Sequence, residues 1–169
     1  MPLRTLILGI GNEWATDDGV GPQVVHHLQG WWNDHRQEFG NEVGFVTMAQ
    51  PDLILLDRIA ECHRLIIVDA VVSGAPPGAL HHQVWRDDLL DDRGVERTSS
   101  HGFGVRELLT MAAVLNKLPQ RVELWGVEIA STEPGQGLTP DVARAAEEVV
   151  HALIRQLTDV DDALQTSGS

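Results

Sequence analysis

The sequence predicts an α/β fold: a three-layer α/β/α sandwich around a twisted, mostly parallel sheet of about five strands. Short apolar runs alternate along the chain with segments whose apolar residues recur at helical spacing, and this alternation is typical of a parallel sheet covered on both faces. The length of 169 residues suits one domain. We therefore expect a single domain over residues 1–158, followed by a flexible polar tail over residues 159–169.

The first part of the chain contains two predicted strands and two predicted helices. Leu3–Ile10 is a continuous apolar run and forms the first strand, and Val43–Met48 forms the second. Leu53–Cys62 is a helix whose start is marked by Pro51 and Asp52. The apolar face of the helix between the two strands is Val20, Val24, Leu28 and one of Trp31 and Trp32. We expect one of these two tryptophans to pack in the core and the other to be partly exposed.

The second part begins with Leu65–Asp69, the clearest buried strand, which ends at a carboxylate. A Pro-Pro-Gly turn leads to Ala79–Trp85, another strand, and the charged segment Arg86–Ser100 reads as a surface loop. Val122–Ile129 is the last strand. The helix face before that strand is Val105, Leu108, Leu109, Ala112 and Leu115.

The last helix starts at "LTPDV", where Thr139 can cap it and Pro140 suits the first turn. Its inner face is Val142, Ala146, Val149, Leu153 and Leu157. Each predicted strand is thus connected to the next by a helix or a turn, as the sandwich requires.

Composition narrows the class of partner. The formal net charge is −13, which repels phosphate backbones and anionic lipid, so we expect no nucleic acid and no membrane as partner. The opening residues fit neither a signal peptide nor a membrane span, so a cytoplasmic protein is the default, with a monomer as the default state. Cys62 is the single cysteine, and we expect it to be a small buried residue without a reactive role.

The loop after the first strand resembles a nucleotide-binding turn in part. Gly9 and Gly11 fit such a turn, but bulky Trp14 stands where the third glycine is expected, and Asp17 and Asp18 occupy the place of the phosphate anion. The loop contains no lysine. These residues argue against a phosphate site. For Asp17 we favour a structural role as a first-turn or capping residue.

Polar side chains collect where the strands end. In an open parallel sheet ligands bind beyond the carboxyl ends of the strands, and Asp18, Asp69 and His101 all come to that edge from separate segments. Two carboxylates and an imidazole can form a site for a divalent transition metal, and nickel, zinc and iron fit equally well. Two alternatives remain: Asp69 as part of an Asx turn, and His101 as a helix-start residue bonded to backbone.

Five segments together resemble the nickel-iron hydrogenase maturation proteases, in the order of that family and over nearly the whole chain. They are "LGIGNEWATDDGVG", "LIIVDAVVSG", "TSSHGFGVRELL", "GVEI" and "LTPDVARAAEEVV". The resemblance implies a twisted five-stranded sheet with helices on both sides. It also implies an aspartyl-type, metal-assisted endopeptidase that removes the C-terminal extension of the hydrogenase large-subunit precursor after nickel insertion.

When the residues of the family's motifs are matched to this sequence, the resemblance implies that Asp18, Asp69 and His101 are the catalytic residues and the nickel ligands. Our hypothesis is that they engage nickel already held by the precursor, so that the substrate supplies the metal. The segment "TMAQPDLILL" departs from the Gly-Gly-Thr-like turn of many relatives, which leaves open the hydrogenase that is served. A non-cleaving nickel-binding chaperone or checkpoint protein is the alternative function, and a small-molecule hydrolase is a weaker one, since no nucleophile elbow is visible.

Other polar residues have simpler interpretations. For Asn12 we favour loop architecture over substrate contact. The adjacent histidines His26 and His27, and likewise His81 and His82, lack the spacing of a metal site. We interpret both pairs as surface or ordinary polar residues.

Overall fold

A computed structural model describes residues 4–85 and 104–166, with side chains described up to residue 159. The described residues contain five strands: β1 (Arg4–Ile10), β2 (Glu42–Met48), β3 (Arg64–Val71), β4 (Leu80–Val84) and β5 (Arg121–Glu128). They form one sheet in the order β2-β1-β3-β5-β4. All neighbouring pairs are parallel except β4 and β5, which confirms the predicted mostly parallel sheet.

Helices cover both faces of the sheet. The α-helices are α1 (Val20–His35), α2 (Leu56–Glu61), α3 (Val105–Val114) and α4 (Pro140–Thr166). Short 3₁₀ helices occupy Thr16–Gly19, Arg36–Glu38 and Leu53–Leu55. One buried apolar cluster lies between the sheet and α1 with α4, and a second lies between the sheet and α2 with α3. The predicted α/β/α sandwich is therefore confirmed.

The ends of the five predicted strands agree with the strand ends in the structure to within two residues. The helix predicted at Leu53–Cys62 begins as the 3₁₀ turn and continues as α2, and Asp52 caps it by accepting the Ile54 N–H at 3.0 Å. Trp32 is buried while Trp31 is partly buried, as expected. The polar segment Arg86–Ser100 lies outside the described residues.

The last helix extends beyond the point where its apolar pattern stops. The structure continues α4 to Thr166, past the predicted domain end at residue 158. A flexible tail over residues 159–169 stays a prediction. In the described part of the chain, no helix is both long and apolar enough to cross a bilayer.

The order of the strands creates a switch point between β1 and β3. From β1 the chain crosses through α1 to β2 on one side, and then through α2 to β3 on the other side of β1. Ligands of open α/β sheets bind in the crevice that opens at such a point. A ligand site is therefore expected at the carboxyl ends of β1 and β3.

Close packing of α1 at this point requires glycine. A Cβ on Gly21 would lie 2.5 Å from the Val68 carbonyl oxygen and 2.6 Å from that of Ile10. Any larger residue would therefore push the helix away from β1 and β3. Gly21 thus performs the helix-packing role that we looked for at Trp14. The Gly-x-Gly pair in "DGVG" was the available sequence signal, and it was missed.

Candidate functional site at the carboxyl edge of the sheet

The first carboxylate of the site is Asp18, in the 3₁₀ helix after β1. Its side chain is buried, and its Oδ2 accepts the Asn12 N–H at 2.8 Å. The Asn12 side chain in turn accepts the Trp14 N–H at 2.9 Å, and the Asn12 carbonyl accepts the Ala15 N–H at 3.1 Å. These contacts give Asn12 the loop-building role that we predicted, and they fix the turn that carries Asp18.

Gly11 allows that turn to be tight. Its φ is +148°, and a Cβ on it would lie 1.8 Å from the Asp18 carbonyl oxygen. A side chain is impossible there without moving Asp18. The predicted tight turn after β1 is therefore confirmed at Gly11, where it brings the backbone of Asp18 against the end of β1, whereas Gly9 lies within β1 itself.

The second carboxylate is Asp69, near the end of β3. It is buried, and it pairs in register with Ile10 at the end of β1. Its Oδ1 accepts the N–H of the next residue, Ala70, at 2.8 Å. The 3₁₀ helix that carries Asp18 contacts β3. The structure thus brings Asp18 and Asp69 to one end of two adjacent strands, as we predicted from the topology.

The third predicted ligand, His101, lies outside the described residues. Among residues 4–85 and 104–159, no group of three or more His, Cys, Asp or Glu side chains is arranged to hold a metal. The three-residue set of Asp18, Asp69 and His101 therefore stays a prediction, with two members placed.

Asp17 has a structural role, but not that of a capping residue. It is fully buried and lies in the first turn of the 3₁₀ helix, yet its carboxylate reaches the loop between β5 and α4. It accepts N–H groups of Ala130 at 3.0 Å, Ser131 at 3.1 Å and Thr139 at 2.7 Å, and also the Thr139 hydroxyl. Asp17 therefore fastens the loop of Asp18 to a distant segment. Sequence spacing gave no signal of this contact.

Backbone hydrogen bonds also join the loop after β1 to the loop after β5, and we call this contact the junction at Asp17. Thr16 N–H donates to the Gly135 carbonyl at 3.0 Å, and Gly135 N–H donates to the Trp14 carbonyl at 2.8 Å. Asp17 N–H donates to the Ser131 carbonyl at 3.1 Å. The loop after β1 and the loop after β5 are therefore hydrogen-bonded to each other beside the site.

Glu128 anchors the loop that follows Asp69. This buried carboxylate accepts the Ser73 N–H at 3.1 Å and the Ser73 hydroxyl, and it lies 3.0 Å from His81 Nε2. Burial alone would raise the pKa of Glu128, but the hydrogen bonds from Ser73 and His81 outweigh burial and lower it. Glu128 was missed in the sequence, although a glutamate at the end of an apolar strand was a visible signal.

A different ionic cluster lies toward the amino ends of the strands. Buried Glu123 contacts Arg64 at 2.9 Å, Arg121 at 2.7 Å and His82 Nε2 at 3.2 Å. Burial raises the pKa of Glu123, but these partners outweigh it and hold the pKa at about 2. His81 and His82 are thus ordinary polar residues, as predicted, but each has a buried carboxylate partner.

The position of Cys62 argues against a thiol nucleophile. Cys62 follows α2 and precedes the amino end of β3, away from the edge that carries Asp18 and Asp69. Burial raises the pKa of the Cys62 thiol to about 11, so the reactive thiolate is scarce at neutral pH. Both facts agree with the predicted lack of a reactive role, but Cys62 is only partly buried, whereas we predicted a buried residue.

Fold and site together define a class: an α/β protein whose switch point presents buried carboxylates instead of a phosphate-binding loop. Residues 38–156 match the family model of the hydrogenase maturation protease HycI. The Hydrogenase 2 maturation protease of Escherichia coli is 28% identical over 158 residues, which cover 93% of this chain and 92% of that protein. The hydrogenase expression/formation protein HoxM of Cupriavidus necator is 31% identical over 142 residues, covering 83% and 67% of the two chains.

A solved structure gives the same result. The hydrogenase maturating endopeptidase HybD from E. coli superposes with a TM-score of 0.72 at 26% identity, covering 98% of this chain and 94% of that one. The chain belongs to the hydrogenase maturation protease family, which acts on hydrogenase large-subunit precursors. The predicted endopeptidase is thereby confirmed, and the non-cleaving chaperone is not favoured.

Proposed function

We propose that this protease removes the C-terminal extension of a nickel-loaded hydrogenase large-subunit precursor, and that Asp18, Asp69 and His101 recognise the nickel that the precursor carries. The observation that supports it most is the pair of buried carboxylates at one edge of the sheet, Asp18 in the 3₁₀ helix after β1 and Asp69 near the end of the adjacent strand β3. His101 enters through the motif resemblance alone. Nickel is part of the substrate on this proposal, and the enzyme supplies the ligands that complete its coordination.

The chemistry of the donors fits a divalent cation. Carboxylate oxygens and imidazole nitrogen are ligands of first-row divalent metals, nickel included. A metal placed there can polarise the scissile carbonyl, lower the pKa of an attacking water or orient the peptide. The role of the protein is to hold Asp18 and Asp69 in fixed positions, which the backbone bonds from Asn12 and Ala70 do.

The net charge of the protein bears on its partners and its location. A protein with a net charge of −13 has little affinity for nucleic acid or anionic membrane, so we propose a monomer that meets its precursor in the cytoplasm. Sedimentation of the purified protein measures its oligomeric state. A stable dimer at micromolar concentration would contradict the monomer.

The decisive experiment mixes the protein with precursor in two forms, one loaded with nickel and one free of it. We expect the mass of the nickel-loaded precursor to fall by that of a short C-terminal peptide, and the nickel-free precursor to stay intact. Asp69→Asn should leave both forms uncut. Equal cleavage of both forms by the wild-type protein would refute recognition through nickel, while binding without any loss of mass would refute the protease.

A further inference from the structure

Large apolar side chains are exposed around the candidate site. Their exposed fractions are 66% for Trp14, 47% for Leu53, 72% for Ile54 and 50% for Val72. Trp14 follows β1, Leu53 and Ile54 follow β2, and Val72 follows β3, so these residues come from three neighbouring strand ends. We call these four residues the apolar rim.

Strands β1 and β2 end level with each other, and β3 extends two residues further, to Val71. Ile10 at the end of β1 pairs with Met48 of β2 and with Asp69 of β3, and Gly11 N–H donates to the Met48 carbonyl at 2.9 Å. Neighbouring strands lie about 4.8 Å apart. The apolar rim therefore borders Asp18 and Asp69 on three consecutive loops.

Hydrogen bonds hold the backbone at Trp14 and Ile54 and on both sides of Val72. Trp14 donates its N–H to Asn12 Oδ1 and accepts the Gly135 N–H, and Ile54 N–H donates to Asp52. The two neighbours of Val72 are also held: the Val71 carbonyl accepts the Ile129 N–H, and Ser73 binds Glu128. A fixed apolar surface loses little conformational entropy when it binds, so it is organised for a partner before contact.

Charge narrows the kind of partner. Glu13 adjoins Trp14 and Asp52 adjoins Leu53; both acids are exposed, although Glu13 also lies 3.3 Å from His26 Nδ1. Exposed apolar residues are ordinary when scattered, but a group of them with a polar border marks an interaction surface. An acidic border on a chain of net charge −13 selects a partner segment that carries apolar and basic side chains.

We infer that the apolar rim is the docking surface for the part of the large-subunit precursor that flanks the cleaved bond. This inference rests on the proposed function, because Trp14 shares a loop with Asp18, and Val72 follows closely after Asp69. An extended peptide rises about 3.3 Å per residue. A segment whose scissile bond lies at the two carboxylates therefore crosses the rim within a few residues, with its apolar side chains on the rim and its basic side chains near Glu13 and Asp52.

The test measures KM and kcat on nickel-loaded precursor and, separately, the Kd for the same precursor. For Trp14→Ala and Ile54→Ser we expect KM and Kd to rise about tenfold, and for Val72→Ser somewhat less, with kcat within about twofold, because these side chains contribute binding and not chemistry. Val114→Ser is the matched control. Val114 is 76% exposed at the end of α3 that leads toward the amino end of β5, and its replacement should change neither constant.

A charge variant tests the second part of the inference. Glu13→Gln should raise KM at low ionic strength and lose this effect in high salt, because salt screens exposed charges. A KM that is insensitive to both salt and Glu13→Gln would refute the basic character of the segment. Thermal unfolding of every variant should match that of the wild type, since the substituted side chains are exposed.

The outcomes separate this inference from the proposed function. If the wild-type protein cleaves and the rim variants retain wild-type KM and Kd, the docking surface is refuted and the protease stands. If the wild-type protein binds the precursor without cleaving it, the protease fails, and a higher Kd in the rim variants alone still supports the docking surface. Self-association that the rim variants abolish would assign the rim to a second copy of the chain and refute the inference.

Discussion

Two buried carboxylates, Glu123 at one end of the sheet and Asp17 at the other, are held in opposite ways. Toward the amino ends of the strands, the carboxylate of Glu123 is neutralised by Arg64 and Arg121. Toward the carboxyl ends, the carboxylate of Asp17 is held by backbone N–H groups and a hydroxyl. Ion pairs cancel charge within the protein, whereas dipolar donors hold a carboxylate in place without cancelling its charge. The amino end thus pairs its buried carboxylate for stability, whereas Asp17 at the carboxyl end keeps its negative charge, which would favour the nickel that we propose the precursor carries.

The largest expected effect tests the carboxyl end. Asp69→Asn keeps an oxygen that accepts the Ala70 N–H but removes the negative charge. We expect kcat/KM on nickel-loaded precursor to fall about a thousandfold, because metal assistance contributes several kcal/mol to the transition state. Unfolding in urea should change by less than about 1 kcal/mol. A variant that cuts at the wild-type rate would end the assignment of Asp69.

The second effect tests the amino end through stability. Glu123→Gln leaves Arg64 buried without its ionic partner, and breaking such a pair costs about 3–5 kcal/mol of unfolding free energy. Cleavage by the folded fraction should be unchanged. Denaturant midpoints and cleavage rates of wild type and variant measure the two quantities. A variant that keeps its stability but loses activity would reverse the comparison between the two ends.

The pH dependence of stability has a definite sign. The pKa of Glu123 is about 2 in the folded protein against a usual value of 4.5, so its stabilisation is complete above pH 4.5 and is lost as pH falls toward 2. We expect the Tm of the wild-type protein to drop through this window. The Tm of Glu123→Gln should fall less steeply there. Parallel curves would show that Glu123 is not the group responsible.

A third effect concerns the junction at Asp17. Asp17→Ala leaves buried N–H groups of Ala130, Ser131 and Thr139 without their acceptor, and we expect a loss of about 3 kcal/mol. Thr139→Val removes only the hydroxyl donor and should cost about 1 kcal/mol, while Thr139→Ser keeps the donor and should cost less. Urea unfolding of the three variants gives this ranking. Equal stability of the valine and serine variants would remove the hydroxyl from the junction.

The smallest effect concerns the thiol. Because the pKa of Cys62 is about 11, a thiol reagent should react slowly with the folded protein at pH 8, and Cys62→Ala should cut precursor at the wild-type rate. Loss of cleavage in this variant would give the amino end of the sheet a catalytic role and would contradict the contrast drawn between the two ends.

Much of the fold was predictable because its strands are buried on both faces and read as continuous apolar runs, as in Leu65–Asp69. Asp18 and Asp69 were predictable as neighbours because the carboxyl ends of parallel strands share one edge. The junction at Asp17 was not predictable, because the N–H donors to the Asp17 carboxylate lie 113 to 122 residues away along the chain. No local sequence pattern indicates such a contact. Glu123 was missed for a similar reason, because its partner Arg64 belongs to another strand.

The junction at Asp17 also has a consequence for the order of events during synthesis. Asp17 and Asp18 emerge from the ribosome early, but the acceptor-donor set that fixes their loop is complete only after Thr139 has been made. Contacts of such long sequence separation form late. We therefore expect nascent chains that stop before Thr139 to lack an ordered site, because the Asp17 contacts are then incomplete.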